Sequence, residues 1–119
     1  MQPQVILVVG DDPDATVLVA VTLCDKGYHV HVAANDVQAL DLLRDCQPDL
    51  ILLDVGTRSM NGWDFAAAYR AAPGPKKPFI VMGSSADPQT EPAEVRAAAH
   101  LPKPFRPDQL LEAVLRYID

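Results

Sequence analysis

Apolar runs of strand length alternate with amphipathic segments along the whole chain, the pattern of repeated βαβ units around a parallel sheet. Gln4–Val9, Leu50–Leu53 and Phe79–Met82 are nearly continuous in Val, Ile, Leu, Phe and Met, as expected of strands covered on both faces. Tyr28–Ala33 differs: Tyr28, Val30 and Val32 alternate with His29 and His31, which predicts a strand buried on one face and placed at a sheet edge. A short fifth strand is predicted at Ala99–Leu101.

Between the strands, helical spacing recurs. Asp12 followed by Pro13 predicts an N-cap and first-turn proline, opening a helix whose apolar side is read as Val17, Val21 and Cys24 with Leu18 beside them. A second helix begins near Asn35, carries Ala39, Leu40, Leu42, Leu43 and Cys46, and stops before Pro48. A third starts at Gly62 with Trp63, Phe65, Ala66 and Tyr69, and Pro73-Gly74-Pro75 breaks it. The weakest is an alanine-rich stretch at Pro92–Ala98, expected to be short or mobile. The last starts at Pro107 and presents Leu110, Leu111, Val114, Leu115 and Ile118. With strands one, three and four central and two and five at the edges, right-handed crossovers favour the order 2-1-3-4-5. The fold class is α/β, a doubly wound (βα)5 domain with a five-stranded parallel sheet.

Composition narrows the function. A length of 119 residues suits one domain, 1–119, with one continuous core. Ten Lys and Arg against sixteen Asp and Glu give a net charge of −6, and the longest basic cluster is Lys76-Lys77, so no direct grip on nucleic acid is expected. No apolar run approaches the roughly 20 residues of a membrane helix, and no leader pattern is seen. Cys24 and Cys46 are the two cysteines; they lack metal-ligand spacing and make no disulfide framework. A reduced, cytoplasmic protein without membrane insertion is expected.

In a doubly wound sheet, ligands bind outside the carboxyl ends of the strands at the switch point. Those ends carry Asp11 and Asp12 after strand one, Asp54 after strand three, Gly83-Ser84-Ser85 after strand four and Lys103 after strand five. Carboxylates brought together repel by roughly 3 kcal/mol per pair at about 5 Å and an effective dielectric of about 20. The cluster therefore requires a cation, raised pKa values or a cost in stability. An oxygen-only donor set suits Mg²⁺, and with Mg²⁺ and Lys103 the local charge is neutral, ready for a phosphoryl dianion. Asp54 is then the expected nucleophile, forming an acyl phosphate.

Asp11-Asp12, Asp54 at the end of Asp49-Leu-Ile-Leu-Leu-Asp54, Met60-Asn61-Gly62 and Lys103-Pro104-Phe105 together resemble the receiver domains of two-component response regulators, over essentially the full chain. The resemblance implies a flavodoxin-like fold. It also implies that Asp54 is the phosphoacceptor, that Asp12 and Asp54 hold Mg²⁺ directly with Asp11 acting through water, and that the backbone carbonyl of Gly56 completes the site. Lys103 would bind the phosphoryl oxygens. The implied partners are a sensor histidine kinase or phosphotransfer protein, and an unknown downstream protein.

Three positions depart from the family pattern. The strand-four hydroxyl position falls on Gly83 by strand register and on Ser84 when counted from Asp54. The switch ring is His100, and Thr57-Arg58 replaces the common Met-Pro. Phosphorylation with an unusual, pH-sensitive readout through His100 is the resulting expectation.

Other features have plainer readings. His29 and His31 share a side of an edge strand, where metal binding competes with simple solvation, and Arg58 reads either as a phosphoryl ligand or as a solvated surface arginine. Because the chain stops after the last helix, a stand-alone phosphoacceptor module is expected. The alternative is a phosphorylation-independent docking module of the same fold. A haloacid-dehalogenase-type phosphatase needs an Asp where Gly56 stands, and a flavin-phosphate binder would be repelled by Gly10-Asp11-Asp12.

Overall fold

A computed structural model describes residues 4–10, 12–54, 62–71, 77–83, 97–102 and 105–118. In chain order the elements are β1 (Val5–Val9), α1 (Pro13–Cys24), β2 (His29–Ala33), α2 (Asp36–Cys46), β3 (Leu50–Asp54), α3 (Gly62–Ala71), β4 (Phe79–Gly83), β5 (Ala99–Pro102) and α4 (Pro107–Tyr117). All strand pairs are parallel and the sheet order is β2-β1-β3-β4-β5, as the run pattern predicts.

The period-two alternation of the central strands divides their side chains between two cores, one on each face of the sheet, where length alone suggested a single one. Ile6, Val8, Leu50, Leu52, Ile80 and Met82 pack with Val19 and Leu23 of α1 and Leu110 and Val114 of α4. Leu7, Val9, Ile51, Leu53, Phe79 and Val81 face the other way, against Ala39 of α2 and Phe65, Ala66 and Tyr69 of α3. Every residue of β3 is buried. Burying each large apolar side chain contributes about 1.5–3 kcal/mol.

Helix ends follow local chemistry. The Asp12 carboxylate caps α1, with Oδ1 accepting from the N–H groups of Asp14 at 3.2 Å and Ala15 at 3.5 Å, and Pro13 occupies the first turn. Asn35 caps α2 by accepting from the Gln38 N–H at 2.9 Å. That helix closes on Gln47 in a left-handed conformation, φ 46°, just before Pro48. Gly27, φ 93°, turns the chain from α1 into β2, a conformation that costs glycine least.

The face of α1 departs from the sequence reading. Its buried residues are Thr16, Val19 and Leu23, whereas Val17, Leu18 and Val21 are 57%, 60% and 60% exposed and Cys24 is exposed as well. Val17 to Val21 is apolar without interruption, so periodicity does not select a side. The docking of Val19 and Leu23 onto Ile6, Val8 and Leu50 selects it. On β2, Val32 is likewise exposed instead of buried. The predicted helix at Pro92–Ala98 lies largely outside the described residues; Ala97 and Ala98 are described and are not helical.

Candidate functional site at the carboxyl ends of the central strands

β1 and β3 run side by side with Val9 opposite Leu53, so Gly10, just past the end of β1, comes level with Asp54. Asp54 is the last residue of β3, one step earlier than the sequence reading placed it, and remains paired with Met82 of β4. The residue is 1% exposed, with its Oδ1 buried. A carboxylate taken this far out of water requires hydrogen bonds or positive charge around it.

The approach of β1 to Asp54 depends on Gly10. A Cβ at position 10 would lie 2.9 Å from Asp54 Cβ, 3.1 Å from Thr16 Cγ2 and 3.5 Å from Asp54 Oδ2. Thr16 is itself fixed: its buried hydroxyl donates to the carbonyls of Asp12 and Pro13, at 3.1 and 3.3 Å. Gly10 and Thr16 thus shape one wall of the Asp54 environment. The sequence reading attached no role to either. The signal lay in strand register, since Gly10 follows Val9 as Asp54 follows Leu53.

Asp12 opens α1 two residues beyond Gly10. Oδ1 serves the cap, and Oδ2 accepts no hydrogen bond among the described residues, so the same side chain retains an oxygen for another ligand. Gly83 ends β4 opposite Pro102. His100 pairs with Val81 and is half-buried. Its neighbours Ala99 and Leu101 join the α1 and α4 core, so alternation puts His100 on the opposite face of β5. Asp11, Gly56, Ser84 and Lys103 lie outside the described residues, as do Thr57 and Arg58. Among the described residues, no cluster of three or more His, Cys, Asp or Glu side chains capable of holding a metal is found.

The model of the response regulator receiver domain matches residues 6–115. The chain belongs to that family. The DNA-binding response regulator MtrA of Mycolicibacterium smegmatis is 33% identical over 93% of this chain and 49% of its own length, so the receiver domain spans about half the length of that relative. The sporulation initiation phosphotransferase F of Bacillus subtilis is 30% identical, covering 99% of this chain and 96% of the relative. Among solved structures, the chemotaxis protein CheY4 of Vibrio cholerae superposes with a TM-score of 0.84 at 29% identity, covering 98% of this chain and 99% of the other. This is therefore a receiver domain of the two-component response regulators, built on the flavodoxin-like fold, with response-regulator and phosphorelay relatives. No helix among the described residues is long and apolar enough to cross a membrane.

The donor chemistry fits the divalent ion associated with such domains. Asp54 and Asp12 offer hard carboxylate oxygens, one of them withdrawn from solvent, with no sulfur or imidazole among the proposed ligands; that set suits Mg²⁺.

Proposed function

We propose that this receiver domain accepts a phosphoryl group on Asp54, from a phosphohistidine of a sensor kinase or phosphotransfer protein, and passes the signal on by altering its interaction surface. The observation that carries this reading is the position of Asp54: a buried carboxylate on the last residue of the central strand, against the side-chain-free wall of Gly10. Strand pairing fixes the nucleophile before any donor arrives, which lowers the entropic cost of reaching an in-line approach.

In the proposed step an Asp54 carboxylate oxygen attacks the phosphorus of the donor, the P–N bond to the donor imidazole breaks, and the phosphoryl group ends as a mixed anhydride with Asp54. The imidazole leaves with the bonding pair and takes up a proton. Asp54 and Asp12, joined by Asp11 and the Gly56 carbonyl, would hold Mg²⁺, which when bound neutralises the charge of the phosphoryl oxygens. Lys103 is assigned to those same oxygens as a point charge. Ser84 is the nearest hydroxyl in the sequence to the end of β4, where Gly83 has none to offer, and His100 is the proposed relay on β5. Function in the cytoplasm, where such phosphodonors act, belongs to the same reading.

Trp63, in the first turn of α3, provides the test. Its fluorescence is followed on adding Mg²⁺ and then beryllofluoride, in the wild type and in Asp54→Ala, with mass spectrometry after exposure to a small-molecule phosphodonor. A mimic-dependent change and a phosphoryl adduct, both absent in Asp54→Ala, are expected. Neither appearing would favour the phosphorylation-independent docking module.

A further inference from the structure

We propose that His29 and His31 form a second cation site on this domain, a bidentate imidazole pair for one borderline divalent transition-metal ion of the Ni²⁺, Cu²⁺ and Zn²⁺ group. The two residues alternate on β2 and project from the same side of the strand, opposite Val5 and Leu7 of β1. β2 is an edge strand, and His29 on it is exposed to solvent.

The ring spacing matches that of a chelate. A strand rise of about 3.3 Å per residue puts same-side positions nearly 7 Å apart along the backbone, yet the two rings lean together to a centroid separation of 4.8 Å with 63° between their planes. Two imidazoles bound to one tetrahedral ion at about 2.0 Å per Zn–N bond would stand with their centres roughly 5 Å apart. His29 is exposed and His31 half-buried, and among the described residues neither ring has a hydrogen-bond or ion-pair partner. The two imidazoles are thus uncommitted to other partners among the described residues. A net charge of −6 favours a cation at any accessible site.

Ligand type separates this site from the acidic one. Imidazole nitrogen selects borderline transition ions and rejects Mg²⁺, whereas the carboxylate set at Asp54 prefers Mg²⁺. Water completes the coordination at the edge, and affinities should follow the ordinary order for nitrogen ligands, Cu²⁺ above Ni²⁺ above Zn²⁺.

The test is calorimetric titration of the whole chain with Ni²⁺ and Zn²⁺ under saturating Mg²⁺, in a Cys24→Ser background that removes the exposed thiol as a competing ligand. Nitrogen-15 spectra of the imidazoles run alongside. One ion per chain is expected, with the ring signals of both His29 and His31 shifted. His29→Gln or His31→Gln should weaken binding by roughly tenfold or more, and Asp54→Ala should leave it unchanged. The glutamine variants keep an exposed polar side chain, and circular dichroism checks that they fold. Absence of binding, binding that survives the double variant, or binding displaced by Mg²⁺ would each overturn the proposal.

Discussion

Gly10 and Asp54 meet at the carboxyl end of the sheet so closely that a methyl group on Gly10 would lie 2.9 Å from the Asp54 Cβ. Neither side has room to yield. The Asp54 Cβ is carried on a strand backbone paired to β4, and Thr16, on the other flank at 3.1 Å, is anchored through its hydroxyl.

Gly10→Ala should therefore destabilise the domain by about 1–3 kcal/mol, the range for overpacking a filled interior. It should also slow phosphoryl transfer to Asp54, because the strain is relieved by moving that carboxylate. Urea unfolding measures the first effect and phosphorylation by a small-molecule donor the second. A variant as stable and as reactive as the wild type would show that the contact is not tight.

Asp12 caps α1, and substitution can separate that cap from the Mg²⁺ role proposed for it. Asp12→Ala removes the helix cap and should cost about 0.5–2 kcal/mol. Asp12→Asn keeps an oxygen for the Asp14 and Ala15 N–H groups and should stay near wild-type stability, while losing the charge proposed for Mg²⁺. Reduced Mg²⁺ affinity in both variants, with reduced stability only in the alanine variant, is the expected pattern in paired denaturation and Mg²⁺ titrations.

The two sides of α1 should respond differently. Leu23 is fully buried, and Leu23→Ala should cost about 2–5 kcal/mol. Val21→Lys, on the exposed apolar side, should change stability by no more than about 0.5 kcal/mol. Since that side continues from the helix capped by Asp12, Val21→Lys should slow phosphoryl transfer from a protein donor more than from a small-molecule one. Equal rates with both donors would remove this surface from donor recognition.

At the start of α4 the Arg106 guanidinium donates to Asp108 at 3.1 Å and holds its carboxyl below the ordinary 3.8. A carboxyl with a lowered folded-state pKa supports the fold above its unfolded value, and that support is lost as pH falls through the folded value. Both side chains are exposed, so the effect on stability is small and salt-sensitive. An NMR titration of Asp108 should give a midpoint below the ordinary one, moving up in Arg106→Ala.

Much of this architecture was legible because the informative residues act locally. Continuous apolar runs at Val5–Val9 and Leu50–Leu53 can be covered only by layers on both faces, and Asp12-Pro13 announces a helix start whatever surrounds it. The face of α1 was not legible, because Val17 to Val21 is apolar on every side and only the sheet decides that Val19 and Leu23 turn inward. Gly10 was hidden for a related reason. Its meaning lies in a neighbour distant in sequence, and it becomes visible only once Val9 is paired with Leu53. At the candidate site, Asp54 could be named from the sequence, but its place inside the strand depended on the pairing with Met82.

That last pairing bears on how such a domain diversifies. Because Asp54 belongs to β3 and is registered against β4, its position is inherited from the sheet and not from the residues that directly follow it. Residues 55–61, between β3 and α3, can then be exchanged, by mutation or by grafting from another receiver domain, without altering the strand pairing that positions the carboxylate. Partner choice and signal lifetime become properties to be varied around a fixed chemical origin.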